Sequence, residues 1–220
     1  MSQELVNFWT NAAPDYDRVV ELQVGAGTRA KVRELVDQET ALGDVVEFGC
    51  GSGFFTESLA RNATSVMATD FSPGMLALAE ARVRAANIKF QIEDCQNATL
   101  GNESFDTAFL SLVLQFADHD RTLAEMHRIL KPGGRLLIAN LDVLALPVPH
   151  RLRTLFRVVY QGRRGYRVRP PRQFGRNVIG ERELCELLER TGFSVTRIDT
   201  FTNPSRASYI PINYIRAEKR

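Results

Sequence analysis

Cysteine is scarce in this chain. Three residues, Cys50, Cys95 and Cys185, stand at wide and unrelated spacings. An odd, scattered set argues against a disulfide framework and a zinc cluster, and it suits a reducing, cytoplasmic compartment. Histidine is equally rare, and no HxxxH, HExxH or clustered carboxylates are present, so no metal site is expected. No apolar run approaches the roughly 20 residues that a bilayer span needs. The opening MSQELVNFWTNAAPDYD lacks the basic start and apolar centre of a secretory signal. Internal repeats and low-complexity tracts are absent. What remains is an ordinary globular composition: 220 residues, 44% hydrophobic, 25% charged, net charge +2. That excludes wholesale disorder, collagen-like repeats and coiled coil. A chain of this length buries about 70% of its surface, enough for one sizeable core.

Apolar runs of strand length alternate with helix-period segments, the pattern of a parallel α/β sheet. Strands are expected at Val45–Phe48, Ser65–Thr69, Ile88–Glu93, Phe105–Leu112 and Arg135–Leu141, with two more at Phe193–Ile198 and Tyr209–Ala217. The last two are separated by one short loop, so they are expected to be antiparallel neighbours. A helix is expected from near Ser52. Another opens at Ser72-Pro73, where Ser suits the N-cap and Pro the first helical position. Leu123, Met126, Ile129 and Leu130 mark a helix that Lys131-Pro132-Gly133-Gly134 stops before the fifth strand. Leu184, Leu187 and Leu188 mark another, closed by Gly192. The chain is read as one domain, 1–220. Residues 1–40 form a helical preface, and 143–180 an insertion after the fifth strand.

The first strand runs into Glu47-Phe48-Gly49-Cys50-Gly51-Ser52-Gly53. Glycines between a strand and a helix expose bare backbone and a helix N-terminus to a ligand. A dinucleotide fingerprint would need glycine where Phe54 stands, and a P-loop would need Lys followed by Ser or Thr. Asp70 ends the second strand, where an acid can accept from both hydroxyls of a ribose. Phe71 and Met75 can cover the flat face of a purine. Asp94-Cys95 ends the third strand, where an acid can accept from an adenine amino group. Three consecutive strand ends thus sketch an adenosine pocket with no evident phosphate site.

These motifs resemble those of class I S-adenosylmethionine-dependent methyltransferases, in particular a subgroup rich in small-molecule and quinone-pathway enzymes. The resemblance runs from about 44 to 217 and includes EFGCGSG at 47–53, ATDFSPGML at 68–76, Asp94, SFDTAFL at 104–110 and LAEMHRILKPGGRLLI at 123–138. It implies a Rossmann-like seven-stranded sheet of order 3-2-1-4-5-7-6, strand 7 antiparallel, with helices on both faces. It also implies S-adenosyl-L-methionine as cofactor and S-adenosyl-L-homocysteine as product. By the same resemblance, Gly49, Cys50, Gly51 and Gly53 lie under the methionine portion, with Glu47 organising its ammonium end. Asp70 holds the ribose, Phe71 and Met75 flank the adenine, and Asp94 with Cys95 reads its edge. Ser111, Leu112 and the residues to Gln115 line the methionine side; many relatives carry histidine where this chain has Gln115. The segment around Trp9 and Tyr16 resembles a cofactor lid, and an insertion placed like 143–180 usually closes over substrate.

That insertion holds nine arginines (151, 153, 157, 163, 164, 167, 169, 172 and 176) and no Asp or Glu, leaving the rest of the chain at 2 − 9 = −7. Leu152, Leu155, Phe156, Val159 and Tyr160 interleave with them in an amphipathic pattern from about 149 to 161. The expected partner is a small-molecule or lipid-like methyl acceptor. An anionic acceptor, a peripheral contact with anionic membrane, and pairing with the acidic core all stay open. Nucleic acid is disfavoured because no RNA-binding module is recognisable. Monomer and homodimer are both open. No catalytic dyad stands out. His119, just past the fourth strand, His150 in the insertion, Tyr16 and Tyr160 are the catalytic candidates. Three alternatives remain: a non-catalytic S-adenosylmethionine-binding protein that docks a partner through its arginines, an RNA-directed methyltransferase, and a nicotinamide oxidoreductase, against which Phe54 argues.

Overall fold

The computed structural model describes residues 2–24, 26–151, 177–201 and 210–220. Tyr160, eight of the nine insertion arginines and most of the amphipathic 149–161 pattern lie outside the described residues. Seven strands are present: β1 Gly43–Phe48, β2 Ala63–Asp70, β3 Ile88–Ile92, β4 Phe105–Ser111, β5 Leu130–Leu141, β6 Phe193–Phe201 and β7 Ile212–Lys219. They form one sheet in the order β3-β2-β1-β4-β5-β7-β6. The first five strands run parallel, and β7 pairs antiparallel with both β5 and β6. The helices are α1 Gln3–Ala12, α2 Tyr16–Val24, α3 Ala26–Gln38, α4 Thr56–Asn62, α5 Pro73–Arg82, α6 His119–Ile129 and α7 Glu181–Arg190.

Both sheet faces are covered, which is why the central strands read as unbroken apolar runs. Val45, Phe109, Leu137 and Tyr214 pack on one side with Val32 and Val36 of α3 and Leu59 of α4. Val46, Ala108, Leu136 and Ile215 pack on the other with α6 and α7. In α6, the Asp118 side chain accepts from Arg121 N at the N-cap, and Leu123, Met126 and Ile129 are buried along one stripe. Burying each such side chain contributes roughly 1.5–3 kcal/mol. Ser72 caps α5 by accepting from Met75 N, with Pro73 at the first turn, as its sequence predicts.

Two local expectations are corrected. The helix expected from near Ser52 starts at Thr56, and residues 51–55 are turns. Gly49, Gly51 and Gly53 all have positive φ (67°, 56° and 78°), which keeps the chain out of the helical region until Gly53 is passed. Lys131–Gly134 does not separate α6 from β5 but lies within β5. Leu130 pairs with Phe105 and Arg135 with Thr107, so the four residues bulge outward opposite Asp106. Lys131 Nζ closes that bulge on Asp106 Oδ1 at 2.8 Å.

Candidate active site

The parallel strands β1, β2 and β4 end side by side at Phe48, Asp70 and Ser111, and the glycine loop rises from the first. A crevice at the carboxyl edge of an open α/β sheet is where ligands bind in such folds. Here it is a partly open cavity. Its floor is Phe48, Gly49 and Gly51, and its β2 side is Asp70, Phe71 and Met75. A side chain at Gly51 would stand 3.0 Å from the Tyr16 ring, and one at Gly49 would stand 2.5 Å from Val113 Cγ2. Only bare backbone fits between these walls.

Asp70 is the polar centre. Its carboxylate accepts from Gly51 N (3.1 Å) and Ser72 N (2.9 Å), so it braces the glycine loop against the start of α5. It is 5% exposed. Burial pushes its pKa up to about 6, although backbone N–H groups pull it back. A carboxylate offers about four lone-pair sites, so acceptor capacity remains on the cavity side. Beneath the loop, the buried Glu47 carboxylate takes the Thr56 hydroxyl at 2.6 Å, and burial raises its pKa to about 7.

The amino-terminal helices form the cover. Trp9, Tyr16, Val20 and Val24 line the cavity. Tyr16 is buried, which pushes its phenol up to about 12, so at neutral pH it stays protonated. Trp9 meets Tyr16 edge-on at 5.8 Å and Phe116 at 5.2 Å. Asp17 anchors this cover: it accepts from Ser52 Oγ of the loop (2.7 Å), from Arg29 Nη1 of α3 (3.1 Å) and from Arg82 of α5. The β4 side is Ser111, Leu112, Val113, Gln115 and Phe116, with Leu141 beyond. Leu112 holds a left-handed φ of 58°, a conformation that costs a non-glycine residue about 1–3 kcal/mol and clusters at functional sites. The Gln115 carboxamide oxygen is buried with no hydrogen-bond partner among the described residues.

The structure brings Tyr16, Gly49, Gly51, Asp70, Phe71, Met75, Cys95, Ser111 and Leu112 to one cavity. Four expected cofactor contacts lie outside its lining. Glu47 is engaged with Thr56 behind the loop. Cys50 belongs to the core packed against β1. Gly53 faces α5, where an added Cβ would meet Val83 Cγ2 at 2.4 Å. Asp94 opens instead onto a separate groove with Ser2, Leu5 and Gln96. Glu93 and Cys95 are the β3-end residues that reach the cavity. The Glu93 carboxylate already accepts from Thr99 N (2.8 Å) and Gln91 Nε2 (2.6 Å). His119 and His150 also lie off the cavity wall: the His119 ring bonds to backbone carbonyls, and His150 N donates to Pro147 O. Val20 and Val24 went unnoticed in the sequence. The signal was there, because they follow Tyr16 at successive four-residue steps on one face of α2.

Residues 46–138 match a family model described as a methyltransferase domain. The chain is 32% identical over 154 residues to a demethylmenaquinone methyltransferase of Paenarthrobacter aurescens (strain TC1), covering 69% of this chain and 60% of the relative. It is 32% identical over 147 residues to a malonyl-[acyl-carrier protein] O-methyltransferase of Serratia marcescens, covering 63% and 53%. The chain thus spans little more than half the length of these curated relatives. A solved S-adenosylmethionine-dependent methyltransferase from Mesorhizobium loti superposes with a TM-score of 0.67 at 18% identity, covering 87% of this chain and 98% of that one. Residues 46–138 are thus similar to a methyltransferase domain, and the seven-stranded fold is shared with the solved Mesorhizobium loti protein.

Proposed function

We propose that the chain transfers a methyl group from S-adenosyl-L-methionine to a small-molecule or lipid-like acceptor. The observation that carries this reading is Asp70: a buried carboxylate with spare acceptor capacity at a strand end, beside glycine backbone and without a phosphate-binding loop. The cavity residues fit the cofactor. Gly49 and Gly51 leave room for its methionine portion, Asp70 would take its ribose hydroxyls, and Phe71 and Met75 would sandwich its base. Ser111 and Leu112 would bound the methionine side, and the Gln115 oxygen, without a partner among the described residues, is an acceptor suited to a ligand N–H or O–H. When bound, S-adenosylmethionine supplies a methyl group on a cationic sulfur.

The chain contributes alignment and exclusion of water. Val20, Val24, Leu112 and Leu141 give the cavity an apolar wall that suits an acceptor with an apolar body. Tyr16, held protonated, would donate a hydrogen bond rather than remove a proton. The two curated relatives are named for a demethylmenaquinone and for a malonyl-[acyl-carrier protein], and both names agree with a small or lipid-like acceptor. In this reading residues 1–40 serve as the lid and 143–180 as the substrate cap. Among the described residues, no helix is long and apolar enough to cross a membrane.

The test is incubation with methyl-labelled S-adenosylmethionine and a panel of hydroquinones, free carboxylic acids, acyl-carrier thioesters and RNA. Label in a quinol or a carboxylate supports the proposal. Label in RNA alone, or failure to bind S-adenosylhomocysteine, contradicts it.

A further inference from the structure

The three-residue turn Leu114–Phe116 supplies Gln115 and Phe116 to the cavity wall. It is held from behind by two residues that do not line the cavity. Nε2 of His119 lies 3.1 Å from Leu114 O and 3.1 Å from Asn177 O. Carbonyl oxygens only accept, so this nitrogen carries the proton and is shared between them. In return, Asn177 Nδ2 donates to Ala117 O at 2.9 Å. Leu114 and Ala117 are buried, and a buried carbonyl left without its donor is costly. The turn is thus stitched in both directions to the segment that leads back into α7. From the turn, contact continues ring to ring. Phe116 meets Trp9, Trp9 meets Tyr16, and the Tyr16 ring lies against Gly51.

We propose that His119 and Asn177 are positioning residues that fix the Phe116–Trp9–Tyr16 cover over the glycine loop and thereby set the affinity for the cofactor. The identity of that ligand rests on the methyltransferase reading above; the positioning itself does not. His119 therefore acts through the wall it braces, not on the acceptor.

Trp9 is the single tryptophan of the chain, so its emission reports on the cover with no ligand present. His119→Ala removes the shared donor, and His119→Gln returns an N–H at nearly the same reach. Asn177→Ala removes the return bond while leaving the His119–Leu114 contact. In the unliganded protein, both alanine variants should red-shift Trp9 emission and raise its quenching by acrylamide. In calorimetry with S-adenosylhomocysteine, each should weaken binding roughly five- to tenfold, the equivalent of one hydrogen bond. His119→Gln should recover emission and affinity together, which a merely destabilised fold would not do. If His119→Ala does not fold, Asn177→Ala carries the test. Wild-type emission and affinity in folded alanine variants would overturn the proposal, as would altered emission with unchanged affinity. If the wild-type protein fails to bind S-adenosylhomocysteine, the functional reading falls, while the Trp9 measurements still decide the positioning role.

Discussion

Replacing Asp70 by asparagine separates the ligand role of this carboxylate from its structural role. In the unliganded protein, burial holds the pKa near 6 against an ordinary 3.8, which corresponds to about 3 kcal/mol against the charged form at neutral pH. The neutral amide of Asp70→Asn abolishes that cost. The amide nitrogen would also face either Gly51 N or Ser72 N, both of which now donate to Asp70. Leaving one of these buried N–H groups unpaired costs about 1–3 kcal/mol. The two effects offset, so thermal stability should stay within about 2 kcal/mol of wild type. Affinity should not. Charge-assisted bonds to ribose hydroxyls contribute roughly 1.5–3 kcal/mol each, so losing one or two weakens S-adenosylhomocysteine binding roughly ten- to a hundredfold or more. The assay is titration calorimetry at neutral pH beside a thermal melt. Binding within about twofold of wild type would refute the assignment. The pH dependence gives a second test. The native carboxyl binds its proton at higher pH than the unfolded chain does. The unliganded wild type should therefore gain stability as pH falls from about 6 to about 4, a gain that Asp70→Asn lacks. Ligand affinity should move the opposite way, falling up to about tenfold per pH unit below about 6 as the carboxylate is protonated.

Asp17→Ala removes the acceptor shared by Ser52, Arg29 and Arg82, so limited proteolysis within residues 1–24 should accelerate while the sheet core stays protected. Its hydrogen bonds and positive neighbours outweigh burial and hold the Asp17 pKa below the ordinary value. The stabilisation is therefore complete above about pH 4 and is lost as pH falls below that, which acid titration of cleavage rates would follow. Gly51→Ala forces a left-handed φ of 56° on alanine and sets its Cβ 3.0 Å from the Tyr16 ring; urea unfolding should show a loss of about 1–2 kcal/mol from the backbone alone. Leu123→Ala opens a cavity at a fully buried position of α6 and should cost about 2–5 kcal/mol in the same assay. Burial pushes the Cys95 thiol up to about 12 and the Cys50 thiol well above its usual range, while Cys185 is only half-buried. A disulfide reagent at about pH 8 should therefore label Cys185 first and reach the other two on unfolding.

The strands and the placing of the glycine loop and Asp70 at strand ends were legible from local signals, whereas the order of the strands followed only from the family resemblance. Apolar runs marked the strands, three glycines marked a turn that no side chain can occupy, and an acid marked a strand end. Where legibility failed, long-range contacts decided. Lys131–Gly134 reads as a break, yet Leu130 and Arg135 find partners on β4 and the strand closes around the bulge. Glu93 and Asp94 are adjacent acids just past the end of β3, and only the folded chain shows that Glu93 lines the cavity while Asp94 lines the separate groove. Gly53 carries the same motif as Gly51 but meets Val83, just past the end of α5 and far along the chain. The edge-on ring contacts of Phe116, Trp9 and Tyr16 join segments that share no sequence pattern. His119 and Asn177, 58 positions apart, find each other only in the folded chain.

The most direct measurement is a crystal structure of the protein grown with S-adenosylhomocysteine. The expected result is a single molecule at the carboxyl edge of β1, β2 and β4, its ribose hydroxyls on Asp70, its base between Phe71 and Met75, and its amino-acid end over Gly49 and Gly51. A molecule bound elsewhere, or one in this cavity that leaves Asp70 and Gly51 without contact, would contradict it.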